Sequence, residues 1–418
     1  MRSCDWMRRM TRIAAPAAAL FCLSMHATAA PVLVDEEKGI ALNVGALVQP
    51  TLQVTAPAGS KTESAAGIGS PEKNPNFDFY LRRVRLLVYG NITKELSFFA
   101  DTDQPNLAKN GDYTGKPMFM QDAFLTYSFM PEFKLDAGMM LVPLSHHTIE
   151  SAAGLNALDY HSTTIFLPAT QVFRDTGVQF RGVVADKLAY RLGIFEGVRY
   201  VPPAAAPAAP APGVPAPAAP PILNPSGLPR IAGQVRFNLM GAENDFFLKG
   251  IYFTPTPIVS VGLGLDYQGK ALNVANAAKD NTTISVDAYL DYPFSADDEL
   301  VFKTNFFMYS KGATLRDLTG NATAMADGGK ALYAEVGFRH TFFEPILLVD
   351  WAAGNDSNYK YMAPHLGVNF WINKYTFNTK IDLAYQTTEK TALNAMTMMN
   401  ATLKTADVLG TVQAQVFF

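Results

Sequence analysis

The chain predicts a transmembrane antiparallel β-barrel of about sixteen strands. Three observations carry that prediction. Apolar and polar residues alternate with period two in segments from about residue 40 to Phe418, and this is the pattern of strands with two different faces. The connections between them sort into short and long ones that largely alternate, as the periplasmic turns and extracellular loops of bacterial barrels do. The amino terminus reads as a secretory leader, and no later stretch offers eighteen continuous apolar residues for a transmembrane helix.

The leader comprises a basic region (Arg2, Arg8, Arg9, Arg12), an apolar run from Ile13 to Met25 and an Ala27-Thr28-Ala29 cleavage site. A signal peptide is expected over 1–29 and the barrel over 30–418. Both cysteines, Cys4 and Cys22, fall in the leader, so a disulfide framework is excluded for the remainder. Losing four Arg and one Asp takes the net charge from −3 to −6. An acidic chain argues against nucleic acid as a partner. Hydrophobic residues at 49% without a membrane helix fit an outer-membrane barrel.

Short connections are expected at 91–95, 130–133, 185–187, 241–245, 295–299 and 373–374, and long ones at 56–76, 104–116, 143–175, 200–229, 269–281, 311–329 and 387–405. Both termini of a bacterial barrel lie in the periplasm, so the strand count must be even. The segment Phe246 to Pro257 breaks parity and carries Pro255 and Pro257. Proline has no N–H to give a central strand, so this segment is assigned to an irregular periplasmic connection or to a continuation of the next strand. The Pro/Ala run from Val201 to Pro225 favours polyproline II and is placed in an extracellular loop at 200–229. Aromatic residues near segment ends, among them Tyr127, Phe129, Tyr309, Phe342, Phe343, Trp371 and Tyr375, are expected to form interfacial girdles.

The polar parity should face a wet lumen. It places Arg83, Arg85, Asp101, Asp122, Arg181, Arg191, Arg236, Lys303, Glu335, Arg339, Lys380 and Asp382 along the pore, with Asp136, Asp287 and Asp350 on the same faces. A guanidinium facing lipid near the midplane costs roughly 2–4 kcal/mol. Arg82 falls on the lipid parity and is expected at the outer rim, reaching lipopolysaccharide phosphates. The Arg and Asp groups on neighbouring strands either set up a field across the pore or pair off as wall salt bridges.

The run F-Y-L-R-R-V-R-L-L-V-Y-G-N-I-T-K-E-L-S-F-F-A-D from Phe79 resembles the phosphate-selective porin O and P family. Q-D-A-F-L-T-Y-S-F (Gln121–Phe129), L-D-A-G-M-M-L-V-P-L-S (Leu135–Ser145), R-D-T-G-V-Q-F (Arg174–Phe180) and G-L-G-L-D-Y-Q (Gly262–Gln268) extend the resemblance. It implies a sixteen-stranded, trimeric outer-membrane channel, and in some members a preference for phosphate. The chain departs from the family in having only Pro31 to Lys38 before its first strand, with no coiled coil, and in lacking a dense lysine cluster. The fold and the channel role are carried over, and phosphate selectivity is not.

The loop at 143–175 holds His146, His147, Glu150, Asp159, His161 and Arg174. It is expected to fold inward and narrow the lumen. A metal site is the sharper alternative, but adjacent histidines point apart in an extended chain and match no ligand frame. A hydrolase using Ser145 or Ser151 lacks a recognisable nucleophile motif. The sequence thus predicts a passive porin for small hydrophilic solutes or ions, anions such as phosphate among them, with no catalytic residues, cofactor or metal. Surface display through the Pro/Ala loop is the alternative from another class. Expected partners are outer-membrane lipid, lipopolysaccharide, the barrel-assembly machinery and two further copies of the chain. The final strand, Leu409 to Phe418, should close the barrel, with Phe418 as its assembly signal.

Overall fold

A computed structural model describes residues 31–35, 39–58, 61–63, 75–113, 117–161, 173–197, 222–224, 226–274, 277–310, 328–355, 359–393 and 400–418. The leader at 1–29 and the Pro/Ala run at 201–221 lie outside them.

Sixteen long strands form the wall: β1 Ile40–Pro57, β2 Asn76–Asn91, β3 Leu96–Asp103, β4 Phe119–Met130, β5 Phe133–Leu141, β6 Arg174–Val184, β7 Leu188–Phe195, β8 Arg230–Met240, β9 Ile258–Val274, β10 Ala277–Pro293, β11 Asp298–Tyr309, β12 Gly329–His340, β13 Phe343–Gly354, β14 Tyr359–Asn373, β15 Phe377–Leu393 and β16 Asn400–Phe417. Each pairs antiparallel with the next, and β16 pairs with β1 to close the barrel. Short strands at Pro31–Asp35, Lys61–Glu63 and Ile222–Leu223 extend this sheet. Closure satisfies the backbone without an edge, which is what a strand fold in lipid requires.

The alternation is inside out. In β8, Ile231, Val235, Phe237 and Leu239 are exposed, while Arg230, Gln234, Arg236 and Asn238 are buried. The same inversion holds in β16, where Thr411, Gln413 and Gln415 face in and Val412 faces out. At the join, Ala46 N donates to Phe418 O at 2.7 Å and Phe418 N to Ala46 O at 3.1 Å.

Turns at 92–95, 131–132, 185–187, 294–297, 341–342 and 374–376 lie at the end that holds both termini. Two long connections are shorter than expected. The 269–281 region is mostly strand, since β9 runs to Val274 and β10 resumes at Ala277. Likewise β15 runs to Leu393 and β16 begins at Asn400, taking up much of 387–405. Polar, Thr-rich sequence there looks like loop, but paired strands tolerate it where both faces leave the membrane. The segment 246–257 is not a wall strand, because β9 starts at Ile258.

Tyr309, Trp371 and Tyr375, expected in the girdles, point inward. Tyr309 and Trp371 are buried, Trp371 donating its indole N–H to Glu344 at 2.6 Å, and Tyr375 packs against both Trp371 and Phe253. Tyr309 shares the inward parity of Lys303 and Phe307. A register shift between Phe370 and Asn373 accompanies the inward turn at Trp371 and Tyr375. Tyr127, Phe129, Phe342 and Phe343 are exposed on the outer surface.

Candidate functional site: the lumen and its inward segments

Eleven of the twelve predicted pore residues are buried on the inner face, and Asp382 is half-buried there. Most of the wall charges are paired, while Arg191 and Lys380 donate to carbonyl oxygens. Arg85 reaches Asp103 at 3.0 Å and Asp101 at 3.6 Å, and Arg181 reaches Asp136 at 2.8 Å. Arg339 meets Glu299 at 2.6 Å, Asp382 meets His365 at 2.9 Å, and Arg236 is bonded to Asp287. Arg174 forks onto Asp122 with contacts of 2.8–3.2 Å. Charge-assisted, often bidentate contacts of this kind hold side-chain geometry well.

Arg82 is not at the outer rim. The β1–β2 register steps from Val48↔Val84 to Pro50↔Leu81, so two residues of β2 oppose one of β1. This bulge turns Arg82 inward beside Arg83. Both guanidiniums hold Asp159, and Arg83 also donates to Gln49 at 2.8 Å. Parity counting cannot see an inserted residue, so the expectation for Arg82 failed there.

Of the 143–175 loop, residues 143–161 and 173–175 are described, and 143–161 lie inside the barrel. The segment is fastened right around the wall. Lys303 of β11 donates to Glu150 at 2.9 Å, His161 contacts Glu335 of β12 at 3.3 Å, and Asn369 of β14 donates to Asn156 O at 2.8 Å. Lys380 of β15 donates to Ala157 O at 2.8 Å, and Gln415 of β16 donates to Ala153 O at 2.9 Å.

His146 and His147 do not diverge. Residues His147–Ile149 form a 3-10 turn, and His146, just before it, is also helical. The turn brings both Nδ1 atoms onto Glu150, at 2.8 Å from His146 and 3.0 Å from His147. His146 Nε2 then reaches Glu243 at 2.8 Å. Lys303 covers the remaining side of Glu150. Burial opposes every charge here, yet the partners prevail at most groups. Glu243 and Glu150 raise the His146 pKa, the Lys303 ammonium helps hold Glu150 well below the usual carboxylate range, and His146 with Arg236 holds Glu243 down at about 2. At His147 burial wins, and its pKa falls to about 4. Asp159 is held low by Arg82 and Arg83 against its burial. Ser145 hydrogen-bonds Thr148, whereas the histidines bond glutamates.

The stretch 246–257, expected as an irregular periplasmic connection or a continuation of the next strand, is a connection, and it is a second inward segment. Residues 241–257, which join β8 to β9 at the terminal end of the barrel, supply Glu243, Phe246, Phe247, Leu248 and Ile251 to the lumen. Arg191 donates to Asp245 O at 2.8 Å, and the guanidiniums of Arg181 and Arg191 lie over the Phe246 ring at 5.1 and 5.4 Å. The run F-F-L-K-G-I, apolar where a periplasmic turn should be polar, is the signal that could have found it.

Residues 69–218 match the sequence model of a family described as phosphate-selective porin O and P. No curated protein matches the sequence. Solved structures share the fold at low identity. The outer membrane channel DcaP of Acinetobacter baumannii matches at 11% identity and a TM-score of 0.54, over 91% of this chain and 98% of that one. An anion-selective porin from Comamonas acidovorans matches at 12% and 0.55, over 91% and 100%. OmpF of Salmonella typhi, solved with daunomycin, matches at 11% and 0.55, over 93% and 100%. The chain is therefore an outer-membrane β-barrel of the porin fold that matches the phosphate-selective porin O and P family over residues 69–218.

Proposed function

We propose that this barrel is a passive channel for small hydrophilic solutes or ions, that 143–175 is its constriction loop, and that it assembles as a homotrimer in outer-membrane lipid and lipopolysaccharide. One observation carries the reading: a loop that enters the barrel and is fixed by ion pairs and hydrogen bonds to β2, β11, β12, β14, β15 and β16. Such a loop sets an aperture, and side chains around it set size and charge preference. Most of the lumen charges are matched by an opposite charge close by. That arrangement favours small polar solutes of either charge over the concentration of phosphate. No chemical step is required of the chain. Planar-bilayer recording tests the reading. Purified protein is expected to give stepwise ohmic conductance, with three coupled steps per trimer. Bilayers that stay silent with the wild type and with every variant shortened in its inward segments, while each runs as an intact heat-modifiable barrel, refute it.

A further inference from the structure

The constriction loop does not fill the barrel alone. It lies along the wall from β10 through β16 to β2, by way of the contacts above and the His146 N–Asp287 contact at 3.4 Å. The 241–257 connection enters from the opposite, periplasmic end and crosses the remaining space. At one side Phe246 stacks on Phe124 of β4 at 4.2 Å and lies under Arg181 of β6. At the other, Phe253 packs on Trp371 of β14 at 5.1 Å, and Tyr375, beyond β14, donates its hydroxyl to Ile251 O. From β6 to β14 is half the circumference of a sixteen-stranded barrel, so the segment spans the lumen.

The two segments meet as backbone. Leu248 N donates to Ile149 O at 2.9 Å, Ser151 N to Leu248 O at 2.8 Å, and Gly250 N to Gly154 O at 2.8 Å. A side chain at Gly250 would run into the backbone of Asn156. Leu144 through Glu150 are at most 1% exposed, and Leu248 and Ile251 join the packed interior. A cavity of about 140 Å³ persists between the constriction loop at Ser151–Ala153 and the wall at Arg85, Asp101 and Arg174. Phe247 forms part of its lining, packed against Phe99 at 4.9 Å.

We propose that residues 241–257 are a periplasmic plug, with Phe247 as its stopper in the cleft beside the constriction loop, and that solutes pass only when the plug leaves Ser151–Gly154. The proposal rests on the channel reading above. Its elements suit release. The plug is a connection between two wall strands, so it can withdraw without breaking the β8–β9 ladder, and part of its hold on the constriction loop is three backbone hydrogen bonds and the His146–Glu243 contact. An apolar block at a pore's narrow point also excludes water, which stops ions as well as larger solutes.

A reversible tether tests it. A Cβ added at Gly154 would stand 3.6 Å from the Cβ of Lys249, within the usual span for a disulfide. Past Cys22 the chain has no other cysteine to compete. In planar bilayers the oxidised Gly154→Cys/Lys249→Cys protein is expected to conduct severalfold less than the same protein after reduction, because the tether holds the apolar block in the pore. Phe247→Ala, and replacement of 246–253 by a glycine-serine linker, are expected to raise conductance above wild type. Equal conductance of oxidised and reduced protein, with the linker variant no more conductive than wild type, overturns the plug and leaves the channel reading standing. Silence of every variant, with intact barrels on gels, overturns both. A silent wild type beside a conducting linker variant supports the plug.

Discussion

Arg83 and Arg85 sit one turn of the pleat apart on the same inner face, yet their surroundings differ. Arg85 answers two wall carboxylates, Asp101 and Asp103, whereas Arg83 shares one loop carboxylate, Asp159, with Arg82. Both guanidiniums are buried on the inner face, and Arg85 lines the cavity beside the loop, so each holds a partner and adds to the field inside the barrel. Replacing both by Ala removes two positive charges and leaves their carboxylates unopposed. The reversal potential in a salt gradient is expected to move toward cation preference. An unchanged potential would mean that both groups serve only as wall bridges. The stability cost of removing one member of a buried pair is about 3–5 kcal/mol, and for Arg83 it is moderated because Arg82 remains on Asp159.

At the scale of elements, the 3-10 turn at His147–Ile149 is what converts a histidine-rich loop into a fastening. It gathers two imidazoles on Glu150 and presents that carboxylate to Lys303. The two rings respond to pH in opposite senses. Burial holds the His147 pKa at about 4, below its ordinary 6.5, so the docked loop favours the neutral ring. Its contribution is complete above the free value and is lost as pH falls from 6.5 toward 4. His146 has a raised pKa, so its contribution is present below the free value and is lost as pH rises through the raised one. Docking is therefore expected to be tightest between these limits. Hydrogen exchange of the amides at 145–151, corrected for intrinsic rates, should speed up as pH drops from 6.5 to 4, and His147→Phe should remove that acid limb. An acid limb that survives in His147→Phe would place the titrating group elsewhere.

For the whole molecule, closure is the condition on which everything else depends. The β16–β1 seam joins the two ends of the chain, with Gln49 donating to Gln415 at 2.8 Å across 366 residues of sequence. Phe418 completes this seam with its own backbone and stays exposed on the outer side. We propose that the exposed ring of Phe418 is read by the barrel-assembly machinery before the seam is formed. Deleting Phe418 is expected to lower the yield of heat-modifiable barrels in the membrane severalfold, as loss of a terminal strand contact slows closure of a non-local sheet, while barrels that do assemble conduct normally. Normal assembly of the truncated chain would show that the seam alone is sufficient.

Much of this was legible in the sequence because the barrel's rule is local. Alternation with period two says which side chains share a face, so Arg181, Arg236 and Lys303 could be placed on the lumen without a structure. The sorted loop lengths gave direction, and the parity of sixteen removed 246–257 from the wall. The misplaced residues are those where a local rule is broken or does not apply. A single inserted residue reverses parity at Arg82, and a helical turn brings His146 and His147 together where an extended chain would part them. The larger omission was what fills the barrel. The sequence by itself determined the wall, its faces and its closing strand, because each strand's pattern depends only on its own neighbours and on lipid outside. Only the tertiary structure decided that F-F-L-K-G-I folds inward to meet the constriction loop, because that meeting depends on surfaces from strands half a barrel apart, which come together only once the ring is closed.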